Sequence, residues 1–544
     1  MRTVRAVSSV VAAVSLVTAA TALPAGALPG EAFPAGAEAA GTPVSLSATM
    51  DGRNAVLPSD LQGFSVESAD LAHGFLTSRL LARRLKTLGP HGVIRIGGYS
   101  MDLVWPAFGA WAGAPAPAEA IGGTVDQSDL DKLAQLVRDS GWKVSLGLPL
   151  KKLIDPAKIK DPTKDPSPAV TLDQAVAEVR AAYATLGRGL VAVEVGNEYD
   201  NVTTLTASEM WSEMKRFQAA IDAALPHAGI KVIGPSANTA VTNTRLEDFM
   251  TAVTTDTQTT PGRVLEEISS HLYPGSHCGS STTTIAALLS TAKYQQVQGK
   301  LEGITALGAQ LPHPVPMTIN ESNSASCSGM PGVSDSYAMS LWSLDYLLQT
   351  GRAGLDRLQF HTNTAAICGD FKARTSPDYP ISYRYYGAFC APDQQHLDAE
   401  QLAASPLYYG LWAFHQVPVG RYLDLDVPQD QLGAVRAYAV QGRDGKVTLV
   451  LINLQDPAAA ESTTQDVTVQ LPGRFSRGTA VTLSSADTTG LASLDSAAIT
   501  LGGQQVDPSG AVTGHRTSKP VAVAGSRTTV HVAPGTAQIV TLVR

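Results

Sequence analysis

The chain has no apolar run long enough to cross a bilayer, which takes about 20 residues, its short N-terminal run included. It has no excess of positive charge either. Its 40 Lys and Arg fall short of its 48 Asp and Glu, leaving a net charge of -8. That argues against a nucleic-acid binder. It also counts against a long polyanionic substrate, unless a local basic patch overrides the total. Only four cysteines are present, Cys278, Cys327, Cys368 and Cys390. Their spacing fits no standard zinc pattern. No strand-like run leads into a G-x-G-x-x-G turn, and no internal repeat is evident. Neither a metal nor an organic cofactor is implied.

The N-terminus has the marks of export. Arg2 and Arg5 precede the apolar stretch Ala6 to Val17, and Ala20-Thr21-Ala22 and Ala25-Gly26-Ala27 both fit a cleavage site. Residues 1–27 are expected to be a signal peptide and 28–41 an unstructured leader, so the mature protein should be secreted. Disulfides are permitted outside the cell, and four cysteines allow three pairings.

Some 500 residues remain, which suggests two domains. Residues 62–420 alternate short apolar runs with longer amphipathic stretches. Eight runs read as strands: Gly63–Val66, Val93–Ile96, Lys143–Leu146, Val191–Val193, Ile230–Ile233, Ile268–Ser270, Pro316–Ile319 and Arg357–Phe360. Leu130–Ser140, Leu172–Leu186 and Ala207–Ala224 read as helices between them. Strands alternating with helices make a parallel sheet, and eight such units suggest a closed (β/α)8 barrel. Residues 421–544 are β-rich with Gly, Asp, Pro and Ser turns, as in an antiparallel β-sandwich. Residues 42–61, with the run Val44 to Ala48, could add strands to it.

Barrel enzymes carry their reactive residues at the C-terminal ends of strands. The fourth strand ends in Val195-Gly196-Asn197-Glu198-Tyr199-Asp200 and the seventh in Ile319-Asn320-Glu321-Ser322-Asn323. These strands lie across the barrel mouth, so Glu198 and Glu321 could face each other. Two facing carboxylates are what glycoside hydrolysis needs. About 5 to 5.5 Å between them gives retention of configuration, and about 6.5 to 9.5 Å gives inversion. The acid of the pair must hold its proton near neutral pH. Asn197 could bind a sugar hydroxyl beside the reacting carbon.

With these motifs the chain resembles glycoside hydrolase family 79, which holds β-glucuronidases and heparanases, within the retaining barrel clan. Glu194-Val195-Gly196-Asn197-Glu198-Tyr199-Asp200 is similar to the family's acid/base motif, with Tyr199 where proline is usual. Asn320-Glu321-Ser322-Asn323-Ser324, running on to Gly329-Met330-Pro331-Gly332, is similar to its nucleophile motif. Arg95 to Asp102, His271-Leu272-Tyr273 and Pro406 to Gly410 resemble its second strand, sixth strand and last barrel helix. The resemblance implies Glu321 as nucleophile, Glu198 as acid/base and Tyr273 hydrogen-bonded to Glu321. It implies that a uronic-acid carboxylate is held by N–H groups at Cys327, Ser328 and Gly329 and by a tyrosine after strand eight, Tyr386 or Tyr385. Ser326 stands where a tyrosine is common. His271 and Glu67 are further expected substrate contacts.

On the same map all four cysteines fall in loops at the mouth, and Cys278–Cys327 and Cys368–Cys390 are the expected pairs. The loop from Ala365 to Ala404 would wall the pocket and favour exo action. The lysines Lys151, Lys152, Lys158, Lys160 and Lys164 read as a solvated face interleaved with aspartates. The function expected is a monomeric exo-β-glucuronidase acting on glycans or small glucuronides, 4-O-methylated ones included. The alternatives are an endo-acting heparanase-like or hyaluronidase-like hydrolase, or a neutral-sugar glycosidase of the same clan. A carbohydrate is the only partner implied, with no nucleic acid and no membrane.

Overall fold

The computed structural model describes residues 43–544 apart from 51–54, 75, 77–78, 240–241, 364–365, 370–373, 376–379 and 382–383. The expected signal peptide and leader lie outside the described residues, as does part of the loop from Ala365 to Ala404. No helix among the described residues is long and apolar enough to cross a membrane.

Eight parallel strands close into a barrel. In chain order they are Gln62–Glu67, Val93–Gly97, Lys143–Leu148, Leu190–Val195, Val232–Asn238, Leu265–Leu272, Met317–Ser322 and Arg357–His361. Each pairs with its sequence neighbours, and the eighth returns to pair with the first. Helices cover the outside and side chains fill the inside, so the first two strands are buried at every position. Burial on both faces explains their unbroken apolar runs. The helices between strands begin where their sequences supply caps. Asp126 and Asp129 form a capping box on Gln127–Ser140, and Thr206 with Glu209 does so on Ala207–Ala224.

The fifth strand departs from the sequence expectation. It starts two residues later than the apolar run and continues through Gly234 and Pro235 to Asn238. Glycine and proline normally break a strand pattern. Here Ser236 and Ala237 are still held against the sixth strand, Ser236 N–H donating to the Ser269 hydroxyl.

The C-terminal domain is a β-sandwich beginning at Gly420–Leu425. Val44–Thr49 joins it, antiparallel to Gly420–Leu425 on one side. On the other side it runs parallel to Gln465–Gln470, so the domain is not wholly antiparallel. Leu46, Leu449, Val467, Val530 and Val540 share its core. A second apolar cluster is continuous from the barrel helices to Ile499, Ala537 and Ile539 of the sandwich. Polar contacts seal this junction: Tyr337 donates to the Gly535 carbonyl at 2.6 Å, and Tyr438 to the Asp345 carboxylate at 2.6 Å. The sandwich therefore braces the barrel from outside and leaves the strand ends to form the site.

Candidate active site

The fourth strand leaves the barrel through Gly196, whose φ is 70°. A side chain there would run into Leu150, so glycine is required by space as well as by backbone. Two residues later Glu198 itself is left-handed, with φ 44°. A non-glycine residue in that region is strained, and such strain persists where the surroundings fix it. The Glu198 N–H donates to the Ser236 carbonyl. Its carboxylate accepts from Asn201 at 2.5 Å and from Asn238 at 3.2 Å. His271 Nδ1 lies 2.9 Å from Glu198 Oε1.

Across the mouth, Glu321 accepts from Tyr273 at 2.9 Å on Oε1 and from Arg95 at 2.6 Å on Oε2. One oxygen of Glu198, one of Glu321 and a ring nitrogen of His271 all lie within 4.8 Å of one another. Carboxylates this close fit the shorter spacing of a retaining pair and not the wider one of an inverting pair. A cation of suitable size could in principle sit among these three atoms. It would have to compete with Arg95 and Tyr273 for Glu321 and with Asn238 for Glu198.

The electrostatics differ on the two sides. Burial alone would raise the Glu321 pKa, but His361, His271 and Arg95 together hold it well below the usual carboxylate range. Glu321 is therefore an anion, as a nucleophile must be. Burial and the Glu321 charge push Tyr273 far above the ordinary phenol value, so it stays a donor. Burial disfavours the charged form of His271, yet Glu321 and Glu198 outweigh it and raise its pKa.

Arg95 organises the floor. Wholly buried, it donates to Glu194 at 2.6 Å through Nε and again at 2.6 Å through Nη2, to Asn197 Oδ1 at 2.7 Å, and to Ser65 and Glu321. Taking a guanidinium out of water costs several kcal/mol, a cost these two carboxylates and their charge-assisted bonds offset. Accepting from Arg95 fixes Asn197 with its NH2 as the end left for a substrate hydroxyl.

The other expected contacts spread around this pair. His271 is fully buried beneath Glu198. Of this expected substrate contact the structure shows a partner in the acid, Nδ1 lying 2.9 Å from Glu198 Oε1. Glu67 is also buried, and its oxygens accept from Ser100 at 2.7 and 2.9 Å and from Arg384 at 3.0 Å. Burial would raise its pKa, but His361, Arg384 and Ser100 bring it down to about 2. Tyr386 is buried, with its ring between Tyr273 at 6.3 Å and His361 at 6.1 Å. Tyr385 lies outside this group and donates its N–H to the Ser328 carbonyl at 2.8 Å. Cys327, Ser328 and Gly329 are three successive left-handed residues, with φ of 56°, 68° and 82°. None of their N–H groups is donated to another described residue. A side chain at Gly329 would collide with Ser334 and the backbone of Tyr386.

Disulfides join Cys278 to Cys327 and Cys368 to Cys390. Four of the five lysines after the third strand lie against carboxylates: Lys151 and Lys152 share Asp165, Lys158 faces Glu209 and Lys164 faces Asp161, while Lys160 donates to the Asp200 carbonyl. Sequence reasoning missed His361, Asn238, Arg384 and the roles of Arg95 and Glu194. A lone Arg in Val-Ile-Arg-Ile and a lone Glu in Val-Ala-Val-Glu-Val were usable signals, because a charge inside a buried strand needs a partner. Asn238 had none, lying past Gly234-Pro235.

Residues 437–539 match the family model described as the glycosyl hydrolase family 79 C-terminal beta domain. No curated protein matches the chain. Among solved structures, the chain is similar to a 4-O-α-L-rhamnosyl-β-D-glucuronidase from Fusarium oxysporum 12S, with 20% identity, a TM-score of 0.66, and coverage of 92% of this chain and 100% of that one. A GH51 arabinofuranosidase from Xanthomonas axonopodis pv. citri is similar at 15% identity and TM-score 0.61, over 92% and 99% of the two chains. A Paenibacillus polymyxa xyloglucanase of glycoside hydrolase family 44 is similar at 10% identity and TM-score 0.55, over 92% and 100%. At such identities the likeness is one of fold.

Proposed function

We propose that this chain, a glycoside hydrolase with a family 79 β domain, is a secreted retaining exo-β-glucuronidase. The reading of its substrate rests most on the loop after the seventh strand. There, three successive left-handed residues, Cys327, Ser328 and Gly329, carry N–H groups that none of the described residues accepts, and Gly329 packs against the backbone of Tyr386. Runs of backbone N–H groups make concavities that hold anions without a fixed cation, and the carboxylate of a uronic acid is such an anion. The glucuronidase from Fusarium oxysporum shares the fold and so supports the same reading. Two disulfides suit an extracellular protein.

In the first step Glu321, held anionic by Arg95 and the two histidines, attacks the anomeric carbon. Glu198 gives its proton to the glycosidic oxygen, and the leaving alcohol departs. The glycosyl–enzyme ester is then cleaved by water, which Glu198 deprotonates, releasing the sugar with its configuration retained. Tyr273 and Arg95 fix the nucleophile; Asn238, Asn201 and His271 fix the acid. The test is an assay of aryl β-glucuronide beside aryl β-glucoside, β-xyloside and α-arabinofuranoside. Cleavage of the glucuronide alone supports the reading. Cleavage of a neutral glycoside instead would leave the paired glutamates standing and overturn the substrate.

A further inference from the structure

A cavity of about 480 Å³ lies between the end of the fifth barrel strand, the loop after the sixth and the helix Thr291–Gly308. Its volume is within the range of small-molecule sites, roughly 300–1,000 Å³. Neither glutamate lines it, but Asn238 and Tyr273 do, and these donate to Glu198 and Glu321 respectively. The cavity therefore shares two wall residues with the reaction site, one bonded to each glutamate. Its lining includes Lys293 and Lys300 and no aspartate or glutamate. In a chain of net charge -8 that is a local reversal of sign. Both ammonium groups are half-buried, and burial lowers the pKa of each, with Lys293 adding to the effect at Lys300. The Lys293 ammonium is steadied by the Pro274 carbonyl at 2.8 Å and that of Lys300 by the Thr239 carbonyl at 2.9 Å.

The leaving group must lie on the side of the group that protonates it. Asn238 both donates to Glu198 and lines the cavity, so this chamber adjoins the acid that would protonate a leaving group. We propose that the chamber is the leaving-group subsite and that Lys293 and Lys300 select leaving groups bearing an anion, a carboxylate or a sulfonate-like group. This rests on Glu198 being the acid, and it adds to the proposed glucuronidase reading a preference that the uronic-acid loop does not supply. A half-buried cation gains more from an incoming anion than an exposed lysine does, because less water screens the pair.

The test compares β-glucuronides of 4-hydroxybenzoate, 4-hydroxybenzenesulfonate and the neutral near-isostere 4-hydroxybenzamide, on the full chain and on the Lys293→Gln/Lys300→Gln variant. The expected result is that the ratio of kcat/KM for anionic over neutral leaving groups falls roughly tenfold or more in the variant, carried by KM. A benzoate-only or sulfonate-only effect would identify which anion is read. In the unsubstituted protein, KM should rise with salt more steeply for the benzoate and sulfonate glucuronides than for the benzamide glucuronide, whose only anion is the sugar carboxylate. That measurement stands even if the variant fails to fold. An unchanged ratio, or the same salt dependence for all three substrates, overturns the proposal. If no glucuronide is cleaved, the uronic-acid reading falls by itself. The same three leaving groups placed on whichever sugar is accepted then decide the chamber's role.

Discussion

Arg95 and Glu321 meet at 2.6 Å, and the arginine has no exposed surface. The same guanidinium holds Glu194 and Asn197, so one side chain on the second strand ties the fourth strand to the seventh. Replacing Arg95 with methionine would leave two buried carboxylates without their cation. We expect the Arg95→Met variant to lose about 3–5 kcal/mol of stability. In whatever activity remains, the acid limb of the pH profile should move upward, since Arg95 helps keep Glu321 ionised. Urea unfolding and kcat/KM against pH check both; unaltered stability would contradict the role given to Arg95.

Glu321→Gln should lower turnover by roughly 10³-fold or more while the protein stays folded. Glu198→Ala should cost about 10²–10⁴-fold on substrates with poor leaving groups and much less on activated aryl glycosides. Steady-state kinetics on a leaving-group series checks this. An equal loss along the whole series would remove Glu198 from the acid role.

Glu67 gives a pH prediction with a definite sign. Its folded pKa of about 2 lies below the ordinary value of 4.5. A depressed carboxylate adds stability that is fully present above the unfolded value and is lost as pH falls through the folded one. Glu67→Gln should therefore be less stable than the parent at pH 7, with the gap narrowing from about pH 4.5 down to about 2. Melting temperatures of both proteins across that range read it directly. A gap that stays constant with pH would mean the loss came from packing alone.

The Cys278–Cys327 bridge closes a loop whose ends are 49 residues apart. Chain-entropy reasoning gives such a bridge about 4 kcal/mol. Cys327 also opens the left-handed run Cys327 to Gly329. The Cys278→Ser/Cys327→Ser variant should melt lower and also show a raised KM for the glucuronide. A lower melting temperature with unaltered KM would assign the bridge to stability only.

The barrel was legible because parallel strands buried on both faces leave apolar runs that stand out between amphipathic helices. All eight strands and the helices Leu172–Leu186 and Ala207–Ala224 can be read from that rhythm. Glu198 and Glu321 were legible because they sit where such runs stop. Residues that work through other residues were harder to see. His361 is one residue past an apolar run, Arg384 lies deep in a long loop, and Asn238 follows a Gly-Pro that ends any strand pattern. His271 was visible as a site residue, but only packing reveals that it is buried against Glu198 and within reach of Glu321.

Glu198 and Glu321 are spaced for retention. The most direct test is proton NMR of the sugar first released from an aryl β-glycoside that the chain cleaves. The β-anomer should appear first, with the α-anomer following only by mutarotation. If the α-anomer forms first, the reaction inverts, and Glu321 is not the nucleophile.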